Sequence, residues 1–233
     1  MEGSLVAYKV FTNGSVLQAS EVNENLMRQA VATFTNAAAR TAAITSPVEG
    51  QMTYLESTKQ YATWNGSAWV SPFGMTLLNT TPFTTATSVA VNNVFSSAYD
   101  NYKIVLDITS GTVANTGIRM RLRSGGTDNT SSNYQYGNVI IGVVTAVALG
   151  GNNASTEAAW PVAFSAGTPG GTLEATVTAP FLTSRTKATV HSAGAYLWVF
   201  GGVMTVTTSY DGFNLYPDSG NITGTLRVYG LRN

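Results

Sequence analysis

From Thr76 onward the sequence shows no helical period. β-branched and aromatic residues recur on alternate positions, and glycine, asparagine, aspartate or proline breaks the pattern at short intervals. In a strand, successive side chains point to opposite faces, so this alternation lets one face be buried while the other meets solvent. The segments Thr84–Val94, Tyr102–Ile108, Gly117–Arg123, Tyr134–Val147, Ala158–Phe164, Thr172–Ala179, Lys187–His191, Ala195–Thr208, Gly212–Tyr216 and Ile222–Tyr229 carry it. Turns are expected at Gly111, Gly125-Gly126, Gly150-Gly151, Pro169-Gly170-Gly171, Asp211-Gly212 and Ser219-Gly220. Many short strands without intervening helices predict an antiparallel β-sandwich of jelly-roll type over residues 76–233.

Residues 1–75 read differently, as a small α+β module. Leu5–Phe11 alternates like a strand and Asn13-Gly14 ends it. Ser20 is a good N-cap for a helix through Ala30, with Glu21 and Glu24 in the first turn and Val22, Leu26 and Ala30 on the buried stripe. Val31–Phe34 is a short strand, and Asn36 caps a second helix over Ala37–Ala43 that Ser46-Pro47 stops. Gln51–Leu55 is a further strand. Asn65-Gly66, between Tyr61–Trp64 and Ser67–Val70, predicts a hairpin with a type I′ turn, covered by Trp64 and Trp69.

Composition narrows the function classes. Charged residues are 10% of the chain, against about 25% in an average globular protein. The surface is therefore clothed in Ser, Thr, Asn and Gly, as on proteins that bury much area against identical copies. Twelve basic and 12 acidic residues cancel, leaving no cationic excess for phosphates, so nucleic acid is not an expected partner. The absence of cysteine rules out disulfides, thiolate metal sites and cysteine nucleophiles. The longest apolar run, Val139–Leu149, is too short to span a bilayer and fits a buried strand. No basic-then-apolar leader is recognisable at the start, so synthesis without a cleaved signal, and no membrane insertion, is the expectation.

A series of short motifs then stands out. Val16–Asn23, Leu26-Met27-Arg28-Gln29, Phe34, Ala38-Ala39-Arg40, Ala43-Ile44, Ser46–Glu56, Tyr61 and Asn65-Gly66-Ser67-Ala68-Trp69 follow one another in an order that resembles a module of bacteriophage minor tail and fibre proteins. The likeness covers residues 10 to 70. Tyr99–Ile104, Arg119–Gly126 and the ending Gly224–Gly230 resemble β-rich C-terminal domains of phage fibres more loosely. The resemblance implies a virion protein assembled in the host cytoplasm: a homotrimer, a short tail fibre with no cofactor. Residues 1–75 would dock on tail or capsid proteins, and the β body would contact a host-surface carbohydrate or protein. The chain lacks a repetitive shaft, which leaves a head fibre or capsid decoration protein as the alternative.

The candidate site residues are weighed against plainer roles. Arg119, Arg121 and Arg123 alternate with Ile118, Met120 and Leu122, giving a strand with one cationic face. That face could hold an anionic glycan through bidentate hydrogen bonds; a solvated face, or ion pairs with Asp100 or Asp107, explains the same pattern. Thr127–Asn133, containing Asp128 and Asn129, is the expected recognition loop. Tyr134, Tyr136, Trp160 and Tyr210 near loops could stack on sugars or pack a core. His191, the single histidine, reads as a strand-end residue without triad or zinc partners. Glycan cleavage needs two carboxyl groups at a fixed separation; Asp100, Asp107, Asp128, Glu157, Glu174, Asp211 and Asp218 are dispersed, so a depolymerase is a distant third expectation.

Overall fold

The computed structural model describes residues 16, 18, 30–72, 74–142, 150–165, 170–194 and 196–231. The expected strand at Leu5–Phe11, and the helix behind Ser20 apart from Ala30, lie outside them. The chain divides into two compact units, Met1–Phe73 and Gly74–Asn233.

In the first unit, β1 (Ala32–Phe34) runs parallel to β2 (Met52–Leu55), while β3 (Gln60–Trp64) and β4 (Trp69–Val70) follow antiparallel, giving a sheet in that order. α1 (Ala37–Ala43) links β1 to β2. Asn36 is extended, and its Oδ1 accepts from Ala39 N–H at 2.9 Å, satisfying an orphan donor of the first turn. α1 buries Arg40, whose guanidinium lies 4.5 Å above the Trp69 ring; Trp69 in turn meets Trp64 edge-on at 5.6 Å.

The hairpin forms, but not through the expected two-residue turn. Trp64 pairs with Trp69, leaving a four-residue loop in which Gly66 has φ 93° and Asn65 stays out of the left-handed region. The Asn65 side chain explains the choice. Its Oδ1 accepts from Ser67 N–H at 3.1 Å and Ala68 N–H at 2.9 Å, which satisfies two loop donors, while Asn65 N–H donates to the Ala68 carbonyl at 3.1 Å.

The second unit is mainly β and sandwich-like. Its strands are β5 (Met75–Ala86), β6 (Val89–Val91), β7 (Asn101–Gly111), β8 (Thr116–Ser124), β9 (Thr127–Asp128), β10 (Tyr134–Gly142), β11 (Gly150–Glu157), β12 (Trp160–Ser165), β13 (Gly171–Thr178), β14 (Lys187–Ala193), β15 (Tyr196–Met204), β16 (Gly212–Pro217) and β17 (Ile222–Leu231). An eight-stranded sheet runs β11-β10-β15-β14-β13-β7-β17-β5, and a five-stranded sheet runs β12-β8-β16-β6 with β9 added beside β8. The inward sets of the two sheets make one core. Tyr102, Ile104, Leu106 and Ile108 of β7 and Leu226 and Val228 of β17 face Ile118, Met120 and Leu122 of β8 and Phe213 and Leu215 of β16. Each such side chain contributes about 1.5–3 kcal/mol by leaving water.

Two boundaries differ from the sequence expectation. Thr84–Val94 is not one strand. β5 starts at Met75 and pairs with β17 in the large sheet, whereas β6 pairs with β16 in the small one. Thr85, at φ 49°, lies in the irregular stretch of β5 between the Phe83–Gly224 and Ala86–Ile222 pairs, and Thr87-Ser88 connect β5 to β6. Gly150-Gly151 does not turn either; it opens β11, which pairs with β10 at the sheet edge.

Candidate functional site

The alternation along β8 places Arg119, Arg121 and Arg123 on the outward face of the small sheet, behind the buried Ile118, Met120 and Leu122. Antiparallel register then sets Tyr216 of β16 opposite Arg119, Asn214 opposite Arg121 and Gly212 opposite Arg123. Each guanidinium is held. Arg119 Nε donates to Asp218 Oδ1 at 2.6 Å, and this bond raises the arginine pKa further. Arg121 Nε donates to the Ala158 carbonyl at 3.1 Å, and its guanidinium sits 4.9 Å from the Tyr216 ring centroid. Arg123 Nη1 pairs with Asp128 Oδ1 at 3.1 Å, and Nη2 donates to the Gly126 carbonyl. The acids on this face are therefore Asp128 and Asp218, brought in by β9 and the end of β16, rather than Asp100 or Asp107.

Asp128 also accepts from Asn214 Nδ2 at 2.9 Å through Oδ2, tying β9 to β16. Asn129 is fixed from several sides. Its Nδ2 donates to the Tyr210 hydroxyl at 2.7 Å, its Oδ1 accepts from Ser131 N–H at 3.0 Å, and its carbonyl accepts from the Tyr134 hydroxyl at 3.0 Å. The expected recognition loop is thus pinned at its start. The Asn214 and Asp211 Oδ1 atoms are buried without a hydrogen-bond partner in the protein, which leaves acceptor capacity at the edge of this network.

The loop aromatics belong to the core. Tyr134 is 0% exposed and meets Trp160 edge-on at 5.3 Å; Trp160 and Tyr210 are buried as well. None of the three rings is open to a ligand. Tyr136 stacks on Phe200 at 5.6 Å and is half-buried. Burial pushes its phenol pKa up, with the charge of Glu157 adding to the rise, and the ring packs against the core. His191 lies on the exposed side of β14, in the other sheet, opposite Glu174 and Val199. Among the described residues no group of three or more His, Cys, Asp or Glu could hold a metal ion. The contributions of Asn214, Tyr216 and Asp218 were missed at the level of sequence. A signal existed: Phe213-Asn214-Leu215-Tyr216 alternates, with its polar parity free to face the arginines.

The Tyr134 hydroxyl accepts from Leu122 N–H at 3.0 Å inside the core, and burial raises its pKa far above the ordinary 10.0. Above pH about 10 the unfolded chain loses this proton while the folded chain keeps it, so stability is present below that pH and falls as pH rises past it. Tyr134→Phe is expected to make the fall shallower. At pH 7 it should also cost about 1–3 kcal/mol, because Leu122 N–H loses its acceptor. Urea midpoints from pH 8 to 11 test this; an unchanged pH slope would refute the assignment.

No family model matches the chain, and no curated protein matches it in sequence.

Proposed function

We propose that this chain is an attachment protein of a bacteriophage particle, a short tail fibre that works as a homotrimer. Residues 1–75 fix it to other virion proteins, and the β body recognises carbohydrate on the host surface by shape and hydrogen bonding, without chemistry. The resemblance of residues 10 to 70 supports the virion assignment. The observation that carries the recognition is Arg121. Its guanidinium carbon lies 4.9 Å from the Tyr216 ring centroid and its Nε donates to the Ala158 carbonyl, between the ion pairs Arg119–Asp218 and Arg123–Asp128. A row of pre-positioned guanidinium, carboxylate and amide groups beside an aromatic ring offers a sugar hydroxyl both donors and acceptors. Because the neighbours already fix the side chains, little rotamer entropy remains to be lost on binding.

Binding of fluorescently labelled protein to intact bacteria and to their extracted surface polysaccharide tests the proposal. Arg121→Ala is expected to weaken binding at least tenfold while circular dichroism stays native, and Arg121→Lys to weaken it nearly as much, since lysine keeps the charge but not the planar fork. Native binding by a folded Arg121→Ala protein would sink the site.

A further inference from the structure

The outward face of the eight-stranded sheet carries a contradiction that a second copy of the chain resolves. Val139 of β10 and Leu197 and Val199 of β15 are 43%, 45% and 46% exposed, on strands in the interior of the sheet. The sequences around them, Val139-Ile140-Ile141 and Leu197-Trp198-Val199-Phe200, are continuous apolar runs. Such runs belong to strands covered on both faces, whereas a strand with one wet face alternates apolar with polar. The core covers one face of these strands.

The next cross-strand row has the opposite shape. Gly137 pairs with Gly201, and Gly201 with Thr189, one step along from the row Val139, Val199, His191. A Cβ at Gly137 or Gly201 would meet nothing within 4 Å. Because two of the three residues on this row lack side chains, the surface sinks into a groove of about 430 Å³, whose lining includes Gln135, Lys187, Thr189 and Val203. Glycines inside a sheet leave room for another backbone or a ligand to approach closely. An apolar ridge therefore lies about 7 Å along the strands from an apolar groove.

We infer that this face is the contact between copies of the chain, the Val139–Val199 ridge of one copy lying in the Gly137–Gly201 groove of the next. Size agrees: a face of eight strands spaced about 4.8 Å apart offers roughly 900 Å², close to the about 800 Å² per partner of a standard stable interface. Charges on this face nearly balance: Lys103 and Glu174 neutralise each other at 2.9 Å, and Asp107 and Arg227 are of opposite sign, which leaves Lys187 at the groove. The inference rests on the proposed homotrimer and adds where its copies meet.

Native mass spectrometry and light scattering of the full chain test it. Val199→Lys puts a charge on the ridge, Gly201→Leu fills the groove, and Ala90→Lys, exposed on β6 of the other sheet, is the control. The wild-type chain and Ala90→Lys are expected to assemble. Val199→Lys and Gly201→Leu should each dissociate at concentrations at least tenfold above the wild-type midpoint, with native circular dichroism. A wild-type assembly that survives both substitutions overturns this interface and leaves the homo-oligomer standing, with the face given over to another segment of the chain or to a host ligand. A wild-type monomer at micromolar concentration overturns both. Dissociation by all three variants alike also refutes the localisation.

Discussion

Trp160→Ala is expected to lower the unfolding free energy by roughly 3–5 kcal/mol, a large share of the about 5–15 kcal/mol that holds a typical domain together. Trp160 opens β12 in the small sheet but fills space against the large one. Its ring meets Tyr134 of β10 edge-on at 5.3 Å and lies 6.3 Å from Phe200 of β15. Its Nε1–H donates to the Gln135 carbonyl at 3.0 Å, so the indole's polar atom is satisfied where no water reaches it. The pocket exists because Gly202 has no side chain: a Cβ there would stand 2.7 Å from both Trp160 Nε1 and Phe200 Cζ. Truncation to alanine removes the aromatic contacts, strands the Gln135 carbonyl and leaves a cavity that the two aromatic neighbours cannot close. Trp160→Phe should lose less, since a ring still reaches Tyr134. Urea unfolding followed by far-ultraviolet circular dichroism measures both. A loss under about 1 kcal/mol for the alanine variant would mean that the sheets are not joined through this residue.

Legibility in the sequence followed the strength of the alternation. β7, β8, β14 and β17 carry a clean period of two, and their buried positions keep the parity read from the sequence. β11 was unreadable because Gly-Gly-Asn-Asn-Ala-Ser has no apolar set of its own; it is a strand because β10 offers it a backbone to pair with. β5 was missed over Met75–Phe83, a stretch that contains Pro82. Proline is tolerated there because β5 is the edge of its sheet and pairs with β17 alone. The cationic face of β8 was visible, but its partners were not. Asp218 and Tyr216 lie 99 and 95 positions from Arg119 and Arg121, and only the β8–β16 register brings them together. Tyr134 and Trp160 flank loops in sequence yet pack inside, because parity within a strand, not distance from a turn, decides which side a ring takes; Tyr210 lies between β15 and β16 and is buried where Asn129 Nδ2 donates to its hydroxyl.

Gly212→Ala is the second substitution with a large expected cost, about 3 kcal/mol, and the one that should disturb the arginine face from behind. A Cβ at Gly212 would lie 2.2 Å from the Val91 carbonyl oxygen and 3.0 Å from Asn92 Cα. Both obstacles are backbone, so no rotamer change relieves them; β6 or β16 must move. Either movement strains a crowded set of bonds. The Asp211 carbonyl accepts from Val94 N–H at 2.8 Å and Phe95 N–H at 3.0 Å, Asp211 N–H donates to the Arg123 carbonyl at 3.0 Å, and Asp211 Oδ2 accepts from Gly125 N–H at 2.8 Å. Because Gly212 pairs with Arg123, a shift of β16 also displaces Asn214 and Tyr216 relative to Arg121. Gly212→Ala should therefore weaken binding to the host surface as well as stability. Gly74→Ala, where a Cβ meets nothing within 4 Å, should change stability by no more than about 0.5 kcal/mol. Urea midpoints and cell binding of the two variants separate the outcomes. Equal stability would show that β6 yields to a methyl group at no cost. A destabilised Gly212→Ala protein that binds cells at the native level below its unfolding transition would show that recognition does not use the β8–β16 face.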